Sequence, residues 1–160
     1  MREYGRNSEY HPDIEKLREV LSKLTDEQKL NILQLTKNVW GRTALHEAAD
    51  RDDAEMITTI LSSLQSSDRL KLLMMRDILL EFTPLHRAAR RGHTESVKAI
   101  LNSLTADQQM QLLTAEDLYG KTAVEWASGE TADVLSEYKN RAREKVDPGE
   151  FLMSCHVPKY

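Results

Sequence analysis

Residues 83–104 read TPLHRAARRGHTESVKAILNSL, and residues 43–64 read TALHEAADRDDAEMITTILSSL. Laid one over the other, they align Thr43 with Thr83, His46 with His86 and Leu64 with Leu104 at a spacing of 40. A third copy follows at a spacing of 39, where Thr122 opens within GKTAVEWAS. Leu21, Leu61 and Leu101 share one register, and Leu33, Leu73 and Leu113 share another. Residues 14–42 carry the second half of the unit without its first. A period of this size marks stacked supersecondary units, each unable to bury its apolar face alone.

Each unit reads as helix, turn, helix, then a third apolar stretch and a loop. Thr43 and Thr83 are good N-caps, and Pro84 stands in the first turn, where a missing N–H costs nothing. Ala48, Ala49, Ala88 and Ala89 are small enough to let first helices approach closely. Gly92 suits the left-handed residue that ends a helix, and Asp52 takes that place, less comfortably, one unit earlier. In the second helix Ile57, Ile60, Leu61 and Leu64 fall at helical spacing, as do Val97, Ile100, Leu101 and Leu104.

Thr83-Pro84-Leu85-His86-Arg87-Ala88 resembles the T-P-L-H-x-A signature of the ankyrin repeat family. Thr43-Ala44-Leu45-His46-Glu47-Ala48 repeats it with alanine for proline. The resemblance implies an all-α solenoid of stacked helix-turn-helix units with half-repeat caps. Its segments are a polar N-terminal tail at 1–12 and a repeat domain at 13–146. Within that domain lie a half-repeat at 14–42, repeats at 43–82 and 83–121, and a capping repeat at 122–146. A second tail occupies 147–160.

Two departures from the family stand out. The usual unit is ~33 residues, and the surplus here falls in LTDEQKLNIL (24–33), LQSSDRLKLL (64–73) and LTADQQMQLL (104–113). Thr25 with Gln28 and Thr105 with Gln108 form capping boxes, so a short additional helix is expected in each. Gln65 breaks the box in the middle copy, where Ser66 or Ser67 is expected to cap instead. The second departure is Glu81, in the slot that holds Gly41 and Gly120, which leaves the shape of the middle loop open.

His46 and His86 fall at the third helical position, from which a side chain reaches back to the cap. Catalysis needs a nucleophile or acid partner at matched geometry, and the motif supplies none. The histidines are expected to be structural, and Glu125 to do the same work one unit later. His11-Pro12-Asp13 is the tripeptide of J-domain co-chaperones, but the ten residues before it are too few for that family's helical hairpin. It reads as the start of the helix at Ile14. Cys155-His156 offers one thiol and one imidazole where zinc needs four ligands. With no phosphate-binding glycine loop and no H-E-x-x-H motif, no cofactor is expected.

Ankyrin-like stacks bind partners with their first helices and loop tips. On this resemblance Glu47, Asp50 and Arg51 of one unit and Arg87, Arg90 and Arg91 of the next face the concave side. The repeat offset predicts Glu47 beside Arg87 and Asp50 beside Arg90, either as surface ion pairs or as a patch for a partner's acidic segment. Trp126 takes the slot of Arg87 one unit later, and is expected to stack under that guanidinium or pack on the cap. Trp40, Leu80 and Tyr119 recur at the loop tips behind Val39, Leu79 and Leu118. One member of each pair is expected to pack on the added helix and the other, Trp40, Leu80 or Tyr119, to join a binding ridge.

The bulk properties agree with a monomeric interaction module. A net charge of −4 gives no cationic field for nucleic acid or membrane. A lone cysteine forms no internal disulfide, and no run approaches a membrane span, so the cytoplasm is expected, with the nucleus as alternative. The leading function is a non-enzymatic adaptor for a partner protein. Its rivals are an inhibitory or regulatory subunit that masks an enzyme or transcription factor, and an enzyme with an unrecognised site.

Overall fold

A computed structural model describes residues 14–35 and 37–145 of the chain. These form ten helices and no strand: α1 (Ile14–Ser22), α2 (Asp26–Leu35), α3 (Ala44–Asp50), α4 (Ala54–Ser62), α5 (Ser66–Leu73), α6 (Pro84–Arg91), α7 (Thr94–Asn102), α8 (Ala106–Leu113), α9 (Ala123–Trp126) and α10 (Gly129–Lys145). Each helix packs on its counterpart one unit on. The inner row is α3, α6, α9; the outer row is α1, α4, α7, α10; the added row is α2, α5, α8. The last unit has no added helix, and the long α10 covers α8 as well as α7.

The rows enclose one continuous apolar core. Leu45, Ala48 and Ala49 of α3 lie against Leu85, Ala88 and Ala89 of α6, with Ile57, Ile60, Leu61, Val97, Ile100 and Leu101 behind them, all buried. Full burial of a leucine or isoleucine contributes roughly 1.5–3 kcal/mol. A single unit would leave the faces that meet its neighbours in water, which is why such units fold by stacking.

The histidines do more than cap. His46 Nδ1 accepts from the Thr43 N–H at 3.1 Å, and Nε2 donates to the carbonyl of Phe82, 2.8 Å away at the head of the next unit. His86 Nδ1 accepts from the Thr83 N–H at 3.3 Å, and Nε2 donates to the Lys121 carbonyl at 3.0 Å. Glu125 Oε1 accepts from the Thr122 N–H at 3.0 Å. Glutamate carries no N–H to send forward, and among the described residues no further loop carbonyl follows this unit to receive one. Both imidazoles are buried, and burial holds them neutral: His46 falls from 6.5 to about 4, and His86 is lowered in the same way.

The added helices are present in all three copies. Thr25 with Gln28 and Thr105 with Gln108 close reciprocal caps at 2.9–3.3 Å. The middle copy departs from expectation: α5 begins after Gln65 with no side-chain cap, and neither Ser66 nor Ser67 provides one. Ser66 Oγ instead reaches Gln108 Oε1 at 3.3 Å, and the Gln65 amide donates to the Asp26 carboxylate. These side chains join neighbouring added helices rather than capping their own.

A further periodic slot fastens the outer helices. Lys29 Nζ donates to the Ser63 carbonyl at 2.9 Å. Arg69 donates to the carbonyls of Leu61 (2.7 Å), Leu64 (3.1 Å) and Ser103 (3.0 Å). Gln109 donates to Leu101 O at 2.8 Å. Helix C-termini leave such carbonyls without intrahelical donors, and these side chains supply them.

Candidate functional site

The loop between units is built on one carboxyl or amide oxygen. Asn38 Oδ1 accepts from the Trp40 and Arg42 N–H groups at 2.9 and 3.0 Å. Asp77 Oδ1 accepts from Leu80 and Phe82 at 3.0 and 3.2 Å, and Asp117 Oδ1 from Tyr119 and Lys121 at 2.8 and 3.0 Å. The middle loop is one residue longer between that oxygen and the threonine cap. Its threonine end nevertheless keeps the common shape: Glu81 sits at φ 58°, close to the 75° of Gly41 and Gly120. Adjacent loops are also joined, Ile78 N–H to Trp40 O and Leu118 N–H to Leu80 O, each at 2.9 Å.

These backbone bonds hold the tips, so their side chains are not needed for packing. Val39, Trp40, Ile78, Leu79, Leu118 and Tyr119 are all between 45% and 79% exposed. The expectation that one member of each pair packs on the added helix is therefore corrected at the first and last tips, where both members of Val39–Trp40 and Leu118–Tyr119 face out. The extra residue puts Ile78 and Leu79 at the middle tip, while Leu80 is half-buried and serves through its carbonyl.

The inner face also departs from the predicted pairing. Arg87 is buried, only 8% exposed, with Nε 3.2 Å from Asp50 Oδ1 and Nη1 3.3 Å from Asp77 Oδ2. The buried Asp77 carboxylate draws it down toward the loop and away from Glu47. Asp50 lies between Arg87 and Arg91, whose Nε is 2.8 Å away. Burial pushes the Asp50 carboxyl up, but the two guanidiniums outweigh it and leave it below the ordinary range. Glu47 accepts from Asn38 Nδ2 at 2.9 Å and pairs with Arg51 at 3.6 Å. Of the two trios, Arg90, Arg91 and Arg51 remain exposed.

Trp126 does not stack under Arg87. Its indole N–H donates to Asp117 Oδ2 at 2.6 Å, and its ring meets Phe82 edge-on at 5.5 Å. The cations near the ring are Arg90, 5.5 Å from its centroid, and Lys121, at 4.7 Å. Arg87 lies over Phe82 instead, at 5.8 Å. Burial pushes the Asp117 carboxyl up, but the N–H groups of Lys121, Trp126 and Tyr119 win and hold it below the ordinary range. Beside this cluster an open hollow of about 450 Å³ is lined by Asp50, Phe82, Arg87, Arg90, Arg91 and His93.

The fully buried Phe82 escapes sequence reasoning, although a signal exists: it is apolar in the slot that is Arg42 and Lys121 elsewhere. Both ring nitrogens of His46 and His86 are engaged in hydrogen bonds, which leaves neither ring a nitrogen for a ligand or a proton relay. His11-Pro12-Asp13, Cys155 and His156 lie outside the described residues.

Residues 81–111, from the middle loop through α6 and α7 into α8, match the ankyrin repeat family. The fold is an ankyrin-repeat solenoid. Ankyrin repeats are in general modules for protein–protein interaction. No curated protein matches the chain. No helix among the described residues of this ankyrin stack is long and apolar enough to cross a membrane.

Proposed function

We propose that this ankyrin stack is a non-enzymatic adaptor that holds a partner protein along its loop-tip ridge and inner-helix face. The observation that carries the reading is the row of six exposed apolar side chains on three joined tips. Single exposed apolar residues are ordinary on any surface, whereas a contiguous row that the fold does not use is the mark of an interface. Trp40 and Tyr119 are the anchors, since aromatic side chains dominate interface energetics. Leu80 adds its half-exposed side. Glu47, Asp50, Arg51, Arg91 and Arg90 form the polar rim, Trp126 closes one end, and Arg87 acts from beneath by fixing Asp50.

The test is a chain carrying Trp40→Ser, Leu79→Ser and Tyr119→Ser together, compared with wild type in capture of protein from lysate, with cross-linking to map the contact. Each anchor is worth about 2 kcal/mol or more if it is a hot spot, so capture should fall at least a hundredfold while thermal unfolding stays unchanged. Equal capture by a folded triple variant rejects the reading.

A further inference from the structure

We infer that the partner segment is acidic where it passes the last unit, and that its carboxylates seat on Arg90 and Lys121 beside Trp126. This rests on the adaptor reading above and specifies the chemistry of what is bound.

Asp77 is engaged by Arg87 at 3.3 Å and lies 3.9 Å from Arg42, and Asp50 is engaged by Arg87 and Arg91. Asp117 accepts from the Tyr119 and Lys121 backbone N–H groups and from the Trp126 indole. Among the described residues that leaves Arg90 and Lys121 without a carboxylate at ion-pair distance. Both nonetheless converge on one ring, at 5.5 and 4.7 Å from the Trp126 centroid. Two like charges sharing an indole repel, and in a chain of net charge −4 this local excess of cation is against the average. The ring's electron-rich face draws both in, and an anion placed beside them removes the repulsion.

The surroundings decide what kind of anion fits. Arg90 stands at the rim of the open hollow, next to Arg91. Lys121 belongs to the same loop as Leu118 and Tyr119, so the cationic site continues the apolar ridge. A segment anchored by apolar side chains on the tips therefore brings its neighbouring side chains over Arg90 and Lys121. Aspartate or glutamate beside the anchors is the occupant that complements both parts.

The two tryptophans allow the two halves to be read separately. The probe is a blocked peptide of alternating glutamate and leucine, titrated into the full ¹⁵N-labelled chain. The Trp126 indole N–H reports the cationic site, and the Trp40 indole N–H reports the ridge. The expected result is movement of the Trp126 signal, with Kd weakening as salt is raised. Each of Arg90→Gln and Lys121→Gln should weaken binding about fivefold, the upper value for an exposed charge pair. Both side chains lie at the surface, and unchanged melting of the variants confirms that they fold.

A glutamine–leucine peptide that shifts Trp126 equally well overturns the inference, because charge would then play no part. So does a phosphoserine–leucine peptide that binds when the glutamate peptide does not, since phosphate rather than carboxylate would be the ligand. So, too, does natural-partner capture that is undiminished in the Arg90→Gln, Lys121→Gln double variant. That last outcome leaves the adaptor reading standing, whereas undiminished capture by the ridge triple variant removes it.

Discussion

Replacing His46 by glutamine should remove a pH dependence that the fold itself creates. In the folded chain Nδ1 of His46 accepts from the Thr43 N–H and Nε2 donates to Phe82 O, so the ring must be neutral. A proton added at Nδ1 turns an acceptor into a donor facing a donor, inside a site from which water is excluded. Burial accordingly lowers the group from 6.5 to about 4. Above pH 6.5 the ring is neutral in both states and costs nothing. As pH falls below 6.5 the unfolded chain takes the proton first, and stability declines until about pH 4, where the folded chain takes it too. At pH 5 the loss is about 2 kcal/mol, at ~1.36 kcal/mol per pKa unit. His86 is lowered likewise and adds to the wild-type slope, but it is common to both proteins and cancels in their difference. Asp50 and Asp117 are held below 3.8, so their contributions lie outside the interval from pH 5 to 8. Urea unfolding of wild type and His46→Gln at pH 8 and pH 5 measures the difference directly. The variant should be the less stable at pH 8, and the gap should close by about 2 kcal/mol at pH 5. A gap that is the same at both pH values refutes the argument, as does an imidazole NMR titration showing His46 protonated at pH 5.

The loop geometry separates two glycines with the same φ. A Cβ on Gly41 would lie 2.9 Å from Ile78 Cγ2 and 3.3 Å from its backbone nitrogen, whereas one on Gly120 meets nothing within 4 Å. Gly120→Ala should therefore cost only the left-handed backbone penalty of about 1–2 kcal/mol, and Gly41→Ala about 1 kcal/mol more; equal urea midpoints would refute the close approach of the first two loops. Arg87→Ala should cost about 3 kcal/mol by leaving the buried Asp77 without its guanidinium, while Arg90→Ala, three residues along the same helix, stays within ~0.5 kcal/mol. Thermal melts of the pair check this, and equal losses would be evidence against the burial difference. Arg69→Ala should cost about 1.5–3 kcal/mol by releasing the carbonyls at the ends of α4 and α7, and Arg69→Gln, the residue type at position 109, should recover part of it. A melt in which Ala and Gln are indistinguishable rejects the fastening role.

The rows of helices were legible because their cause is periodic and local. Thr83, His86 and Leu101 repeat Thr43, His46 and Leu61 at a spacing of 40, and each does the same work in both units. The added helices were legible for the same reason, through the Thr25–Gln28 and Thr105–Gln108 boxes. What escaped was whatever depends on a neighbour in space. Leu79 and Leu80 satisfied the pattern of an apolar pair, which concealed the extra residue that moves Ile78 and Leu79 to the tip and turns Leu80 inward. Asn38, Asp77 and Asp117 could have shown it: their steps of 39 and 40 reverse the 40 and 39 of the threonines, which places one additional residue between Asp77 and Thr83.

Arg87 looked like a surface cation because helical spacing alone puts it beside Arg90 and Arg91. The carboxylates of Asp50, one unit earlier, and of the buried Asp77, ten residues earlier and in a different element, turn it inward. The same turn leaves Arg90 as the cation of that helix without a carboxylate partner among the described residues. It also lets Trp126 meet Arg90 and Lys121 rather than Arg87. A repeat pattern gives every equivalent position the same expected environment. On the adaptor reading proposed above, binding specificity would arise where that equivalence fails: the longer middle loop, the apolar Phe82 in a basic slot, and tryptophan in place of arginine in the last unit.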